Sequence, residues 1–562
     1  MEPASAMEPV TELTSELLYD VLVAAVASQR KQPEVALDAL ERAVYLSRDR
    51  RLNANAIELA LHIKDYARAI ELSELLLEQD PDNFRVALAL ATAQIRGGAV
   101  DDAADTLLDL VRGLEKDREP VMQEIASLIA RQKQPARNQL RQKLDDATQS
   151  NDPLLVFTSA LLASRMEEPE RFRALLEDVL VDEPTWETAA ILKLTDIADR
   201  ERDQVDQWAS EYLRLNPEAE RFRVQYARLL IQDDRLEEAL EEFNAVLNIN
   251  PDAREALFAA AVVNQDLEQE EDAETLFRRY ITSSDNGDQA RLYLAQMLIE
   301  QERFDEASPF LRQIQSNQFY LEAQIALSGV IAKQSNVEAG LNYLRNIDAR
   351  GEDESIRLIL EQDLLLRDFD QMDRSLELLT EALEERPRQP DLLYSRGLLA
   401  AQLNKIDLIE RDMRLLIELQ PDNAHAYNAL GYTLADQTTR FDEALELITQ
   451  ALEYLPEDPY ILDSMGWVHY RMGNLDEAMD YLQQAWDLNK DAEIAAHLGE
   501  VLWVLGRHEE ARKVWKQGKE AGPENATLLK TIDRLTDPES EQRAVRVLQP
   551  ATTFHQDAPV AA

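Results

Sequence analysis

A period of about thirty-four residues governs this chain. Ala36 and Ala69 stand 33 apart, and Ala69 and Ala103 stand 34 apart. Ala239, Ala273 and Ala307 repeat at 34, and Ala444, Ala478 and Ala511 follow at 34 and 33. A second small residue precedes most of these by 12 places: Ala24, Ala91, Ala227, Ala261, Ala295 and Gly499. A proline closes several units 12 places after the key alanine, at Pro81, Pro251, Pro456 and Pro523. Small residues at two fixed places let two helices touch closely, and a proline cannot continue the helix that it follows. A chain built this way stacks units side by side and needs no single round core, whatever its length.

The period, the paired small residues and the closing proline read as a tetratricopeptide-type repeat. The expected fold is all-α, a superhelical solenoid of about fifteen helix pairs between residues 17 and 525. The pattern is clearest in 17–50, 50–83, 84–117, 220–253, 254–287, 288–321, 424–458, 459–491 and 492–525. Unit 220–253 shows its logic. Ala227 lets the first helix approach the second, Leu236 opens the second, Phe243 and Val246 fill the groove, and Asn250-Pro251 ends it. Two stretches keep the length but lose the marks. In 118–219, Phe172 and Val205 replace the key alanine and Lys193 takes a small-residue place; in 322–423, Ser375 and Ile409 replace it, while Gly329 and Gly397 fit. Both read as divergent repeats. Residues 526–545 are expected to form a polar capping helix, and 1–16 and 546–562 to be disordered.

Helix-forming Ala, Leu, Glu and Gln abound, Gly numbers only 15, and runs of strand character are missing. With 59 basic against 108 acidic residues the net charge is −49, so a phosphate backbone would be repelled and nucleic acid is not the expected partner. The field suits a solvated acidic surface, and it also attracts basic partners. There are no cysteines, hence no disulfide and no thiolate metal site. No stretch has eighteen consecutive apolar residues. The first sixteen residues lack the basic and apolar regions of an export signal.

Signs of catalysis are missing as well. There is no GxGxxG after a strand, no GxxxxGK[ST], no GxSxG and no HExxH. His62, His425, His469, His497, His508 and His555 have no metal-ligand spacing. Carboxylate pairs at the starts of second helices, such as Asp305-Glu306, Asp442-Glu443 and Asp476-Glu477, favour a helix N-terminus electrostatically. The chain is therefore read as no enzyme, with no metal and no cofactor.

What remains is the inner surface. In this repeat class positions 2, 5, 9 and 12 of the first helix face the concave groove. In the last four units they supply Tyr394, His425, Asn428, Tyr432, Tyr460, Asp463, Trp467, Tyr470, Glu500 and Trp503. Four of six tryptophans lie between 467 and 515, and of these Trp486 and Trp515 fall on second helices, where they belong to the core. Tyr and Trp are common interface anchors, so the groove suits a peptide or helix. The same aromatics would serve equally well in packing adjacent repeats. A carboxylate clamp is not expected: Asn428 stands almost alone, with acidic and aromatic neighbours and no lysine on that face, and Arg471 is the nearest base.

The strings NALGYTLADQTTRFDEAL (428–445), ILDSMGWVHYRMGNLDEAMDYLQQA (461–485), AAHLGEVLWVLGRHEEARKVW (495–515) and ELLYDVLVAAVASQRKQPEVALDAL (16–40) resemble a family of proteobacterial tetratricopeptide outer-membrane lipoproteins. The resemblance covers nearly the whole chain, in the middle by period alone. It implies an adaptor and activator of a periplasmic C-terminal processing protease, a serine protease with a PDZ domain. It also implies that cell-wall endopeptidases, the peptidoglycan hydrolases, are delivered as substrates. It implies an outer-membrane location through an N-terminal lipid anchor on an acylated cysteine, which this sequence does not contain. No catalytic residue carries over. The alternative is a soluble tetratricopeptide scaffold that assembles a complex unrelated to proteolysis.

Overall fold

Small residues at the expected contacts and prolines at the expected ends produce antiparallel helix pairs throughout. The computed structural model describes residues 13–114, 119–283 and 287–536. Among these residues there are thirty-one α-helices and no strand. Two compact units divide the chain, Met1–Ser284 and Asp285–Ala562. The first holds sixteen helices, hence eight pairs; the second holds fifteen, hence seven pairs and one helix more. That last helix, Ala526–Thr536, covers part of the segment expected to cap the array. Residues 537–545, and the tail after them, lie outside the described residues, as do 1–12. The first helix begins at Ser15, capped by Thr14, within the segment read as preceding the repeats.

The nine key alanines from Ala36 to Ala511 are fully buried, so a larger side chain there would force the paired helices apart. Helix Leu236–Ile249 ends just before Pro251, and helix Phe441–Tyr454 just before Pro456. First helices are opened by short acidic or amide caps. Asn423 accepts from the Ala426 amide at 3.0 Å, Asp458 from the Tyr460 and Ile461 amides at 3.0 Å, and Asp491 from Glu493 at 2.7 Å. Second helices carry their acidic pairs in the first turn, where Arg440 and Arg507 at the caps also pair with Glu443 and Glu510. Part of the acidic excess thus works at helix starts.

The turns inside the pairs carry a periodic feature of their own. Lys31, Lys64, Asp234, Glu268, Glu302, Asp370 and Asn404 have left-handed backbones with φ of 55° to 66°. Gly98, Gly473 and Gly506 hold the same place with φ of 78° to 91°. The amide after each returns to a carbonyl of the preceding helix, as from Asp65 to Ala60 and from Asn474 to His469, both at 2.9 Å.

The divergent stretches also form helix pairs. Glu187–Arg200 is followed by Val205–Leu215, and Met372–Glu385 follows Glu352–Asp368. Phe172 and Ile409 are buried where alanine is usual. Lys193 pairs with Glu177 and lies 5.1 Å from the Trp208 ring centre. Ser375 has another reason to be there: its hydroxyl bonds to the buried Asp363, which also takes Ser395 Oγ at 2.6 Å and the Arg367 guanidinium. One fully buried carboxylate therefore dictates three neighbours across two repeats.

Candidate functional site

The first helices of the last repeats are Pro390–Gln402, Ala424–Gln437, Pro459–Met472 and Ala492–Val504. Residues one repeat apart on successive first helices lie side by side, and this register assembles a polar cluster. His497 Nδ1 donates to Asp463 Oδ2 at 2.8 Å, across 34 residues. The imidazole stacks on Trp467 with ring centres 4.2 Å apart, and its Nε2 lies 3.5 Å from the Tyr432 hydroxyl, two repeats away. Trp467 Nε1 donates to Asp436 Oδ1 at 3.2 Å, and Arg471 donates to the Asp436 carbonyl at 2.6 Å. The Tyr470 hydroxyl donates to Glu500 Oε1 at 2.9 Å, while Arg534 of the capping helix pairs with the same carboxylate. Most of these links tie one repeat to the next, and the Tyr432–His497 contact spans two.

The electrostatics follow from enclosure. Burial disfavours a charged His497, but the charge and hydrogen bond of Asp463, aided by Glu493 and Glu500, outweigh it and push its pKa up to about 8. At neutral pH an imidazolium therefore sits against the Trp467 face, a favourable cation–π arrangement. Burial raises the Glu493 carboxyl despite the His497 charge. It also raises the Tyr432 and Tyr470 phenols well above their usual range, with Glu500 adding to the effect at Tyr470. Asp463 Oδ1 is buried and has no hydrogen-bond partner among the described residues.

The residues singled out in the sequence sort into three settings. Asp463, Trp467, Tyr470, Tyr432 and Glu500 belong to the cluster. Tyr460 and His425 are exposed, and Tyr460 accepts from Asn489 Nδ2 at 3.2 Å. Half-buried Asn428 keeps a buried side-chain oxygen without a partner among the described residues, and half-buried Tyr394 packs on the neighbouring core. Trp503 lies in the core of the last repeat, with Trp515 and His508 at ring-centre distances of 5.3 and 4.2 Å. Trp486 and Trp515 are buried there too.

Sequence reasoning missed His497, Asp436, Glu493 and Arg534. The available signal was the 34-residue separation of Asp463 and His497, one full repeat.

A histidine bonded to an aspartate can serve as a general base, but here its ring is enclosed. His497 is 2% exposed, with a phenol and an indole against its remaining surface. Among the described residues no group of three or more His, Asp or Glu could hold a metal ion. The arrangement can act as a stiff wall that offers phenol, amide and carboxylate groups at its margin.

Tetratricopeptide-repeat signatures match residues 60–121, 434–496 and 469–532, and a second such signature matches 227–288. A TPR repeat-containing protein of Pseudomonas aeruginosa is 31% identical over 545 residues, covering 96% of this chain and 91% of that protein. A mitochondrial import receptor subunit of Rattus norvegicus is 33% identical over 82 residues, 15% of this chain and 13% of its own. Among solved structures, a thermophilic TPR protein of Thermus thermophilus has 23% identity and a TM-score of 0.29, covering 32% of this chain and 97% of that one. The APC/C hetero-tetramer Cut9–Hcn1 covers 93% of this chain and 97% of its own, at 14% identity and a TM-score of 0.31. TM-scores of this size carry nothing further about this chain. The full-length likeness to the Pseudomonas protein is decisive: the chain belongs to the tetratricopeptide-repeat family. Members of this family are generally non-catalytic scaffolds, and this chain is a tetratricopeptide scaffold for protein–protein interaction.

Proposed function

We propose that the chain is a non-enzymatic adaptor that binds a periplasmic C-terminal processing serine protease and brings cell-wall endopeptidases to it. The observation that carries the reading is the inner face of the last repeats, where the sequence strings resembling lipoprotein adaptors coincide with the cross-linked wall of aromatic and acidic groups. Holding enzyme and substrate on one solenoid raises their effective concentration, so turnover rises without any catalytic group in the adaptor. In this reading the native protein works in the periplasm, held at the outer membrane by an N-terminal lipid anchor.

The test is size-exclusion chromatography with light scattering on the chain mixed with a purified processing protease. A stable complex supports the reading. Tyr460→Ala with His425→Ala, both at exposed positions, should weaken the complex while the far-UV circular dichroism stays unchanged. A mixture that elutes as separate proteins would remove the protease and leave the scaffold unrelated to proteolysis.

A further inference from the structure

Two successive second helices of the carboxy-terminal unit stop early. Phe304–Gln313 has ten residues and Val337–Arg345 nine, where Leu236–Ile249, Met372–Glu385 and Phe441–Tyr454 each have fourteen. A cleft of about 420 Å³ lies along the shorter of the two and the first helix that precedes it, Tyr320–Gln334. Tyr320 and Gln324 line it from the first helix, Asn342 and Tyr343 from the second, and Asn346 and Asp348 from the chain just past its end. Gln324 is only 7% exposed, yet half of its amide is unused. Its Oε1 accepts from the Tyr343 hydroxyl, while its Nε2 has no hydrogen-bond partner among the described residues. Asn346 Nδ2 donates to the Asn342 carbonyl at 2.6 Å, and Arg345 donates to Asn342 Oδ1 at 3.3 Å. Asn346 Oδ1 and Asn342 Nδ2 are thus left without partners among the described residues.

Equivalent places in other repeats are charged. Arg223 and Glu242 stand 19 residues apart and form an ion pair in unit 220–253. Gln324 and Tyr343, 101 residues further on and also 19 apart, form a neutral hydrogen bond instead. With Gly340 in the place of Ala239, Asn342 and Asn346 correspond to Glu241 and Ala245. In units 254–287 and 424–458 the same two places hold Thr275 and Arg279, and Glu446 and Gln450. A chain with a net charge of −49 therefore gathers amides and phenols at this one cleft, where Asp348 is the single charged residue of the lining. Burial raises the Tyr343 phenol against the pull of the nearby Arg312 charge, so a cation stands close by to balance Asp348.

We propose that this cleft binds a short neutral saccharide. Sugar hydroxyls both donate and accept, and an acetamido group adds one donor and one acceptor. The free amino groups of Gln324 and Asn342 supply donors, and Asn346 Oδ1 and the Asp348 carboxylate supply acceptors. Tyr320, 39% exposed at the edge, offers a ring face to the C–H face of a pyranose and a hydroxyl to its rim. The volume falls in the range of small-ligand sites, about 300–1,000 Å³. An extended peptide fits less well. It advances about 3.3 Å per residue and would run across several repeats, whereas every lining residue here lies within 320–348, one helix pair. An ionic ligand gains little where a neutral bond has replaced an ion pair. The assignment does not depend on which protein the scaffold holds.

Saturation-transfer NMR on the full chain tests this with N,N′-diacetylchitobiose, cellobiose and the capped peptide acetyl-trialanine amide. Ring protons of at least one disaccharide should show saturable transfer, with binding at least tenfold tighter than that of the peptide. Tyr320→Ala should weaken that binding about tenfold, and N342A/N346A, both at exposed positions, should abolish it. Circular dichroism should stay unchanged in both, with Q483A as a silent control. Preference for diacetylchitobiose identifies a reader of acetamido sugars, and binding of cellobiose as well or better a reader of hydroxyls alone. Equal or tighter binding of the peptide, full affinity in N342A/N346A, or no transfer to either disaccharide at about 10 mM would overturn the proposal.

Discussion

Removing the charge of His497 should loosen the carboxy-terminal repeats, and pH can do this without a mutation. Its pKa is about 8 in the folded chain against an ordinary 6.5, because Asp463, Glu493 and Glu500 outweigh the effect of burial. A pKa raised by folding stabilises fully below the unfolded value, and that stability is lost as pH rises through the folded value. Each unit is worth 1.36 kcal/mol, so about 2 kcal/mol should disappear between pH 6.5 and 9. Little else competes in that window. There are no cysteines, the Tyr432 and Tyr470 phenols titrate above it, and burial moves the His469 imidazole downward, away from it. Repeat arrays unfold in parts, so a local reporter is needed. Tryptophan fluorescence provides one, with Trp467, Trp486, Trp503 and Trp515 all in this region. Urea unfolding followed this way should show the loss in the parent chain and a flat profile in His497→Gln. A parent profile that is flat, or an equal loss in the variant, would refute the reasoning.

Other expectations are as direct. Arg396 and Asp412 form a buried pair at 2.7 and 2.8 Å, so Arg396→Met should cost up to about 3–5 kcal/mol in urea unfolding by leaving the buried carboxylate only its 3.2 Å contact with Arg411, and R396M/D412L should recover most of it. A methyl group on Gly499 would collide with the Trp515 indole; Gly499→Ala should cost about 1–3 kcal/mol, read from the same fluorescence transition. Trp467 is stacked on His497 and buried, so Trp467→Ala with Tyr470→Ala should lower stability by several kcal/mol, about 3–5 for the tryptophan alone, in addition to weakening capture. Gly473, at φ +88° in open space, isolates the backbone term: Gly473→Ala should cost about 1 kcal/mol in thermal unfolding.

Much of the fold was legible because close packing leaves few choices. A fully buried contact between helices admits Ala or Gly, and the 34-residue recurrence of those residues, with the prolines beyond, set the pairs. The left-handed turns were hidden because most of their positions hold Lys, Glu, Asp or Asn, whose identities do not announce a positive φ as Gly473 does. The divergent repeats hid their pattern for a chemical reason. Ser375 serves the buried Asp363, and Gly397 fits against Met413, so a polar or bulky demand displaced the usual alanine. At the candidate site the groove positions located Asp463, Trp467 and Tyr470, but not the residue that joins them. His497 sits between the groove and the core, where a periodicity argument expects a packing residue, and its role depends on charges supplied by three separate residues.

The adaptor account is tested most directly by timing the cleavage of a cell-wall endopeptidase by a C-terminal processing protease with and without this chain. The account predicts no cleavage by the chain alone and a marked acceleration when it joins the protease. That acceleration should fall when the chain is in large excess, as enzyme and substrate are held on separate copies. Unchanged cleavage at every ratio would contradict it.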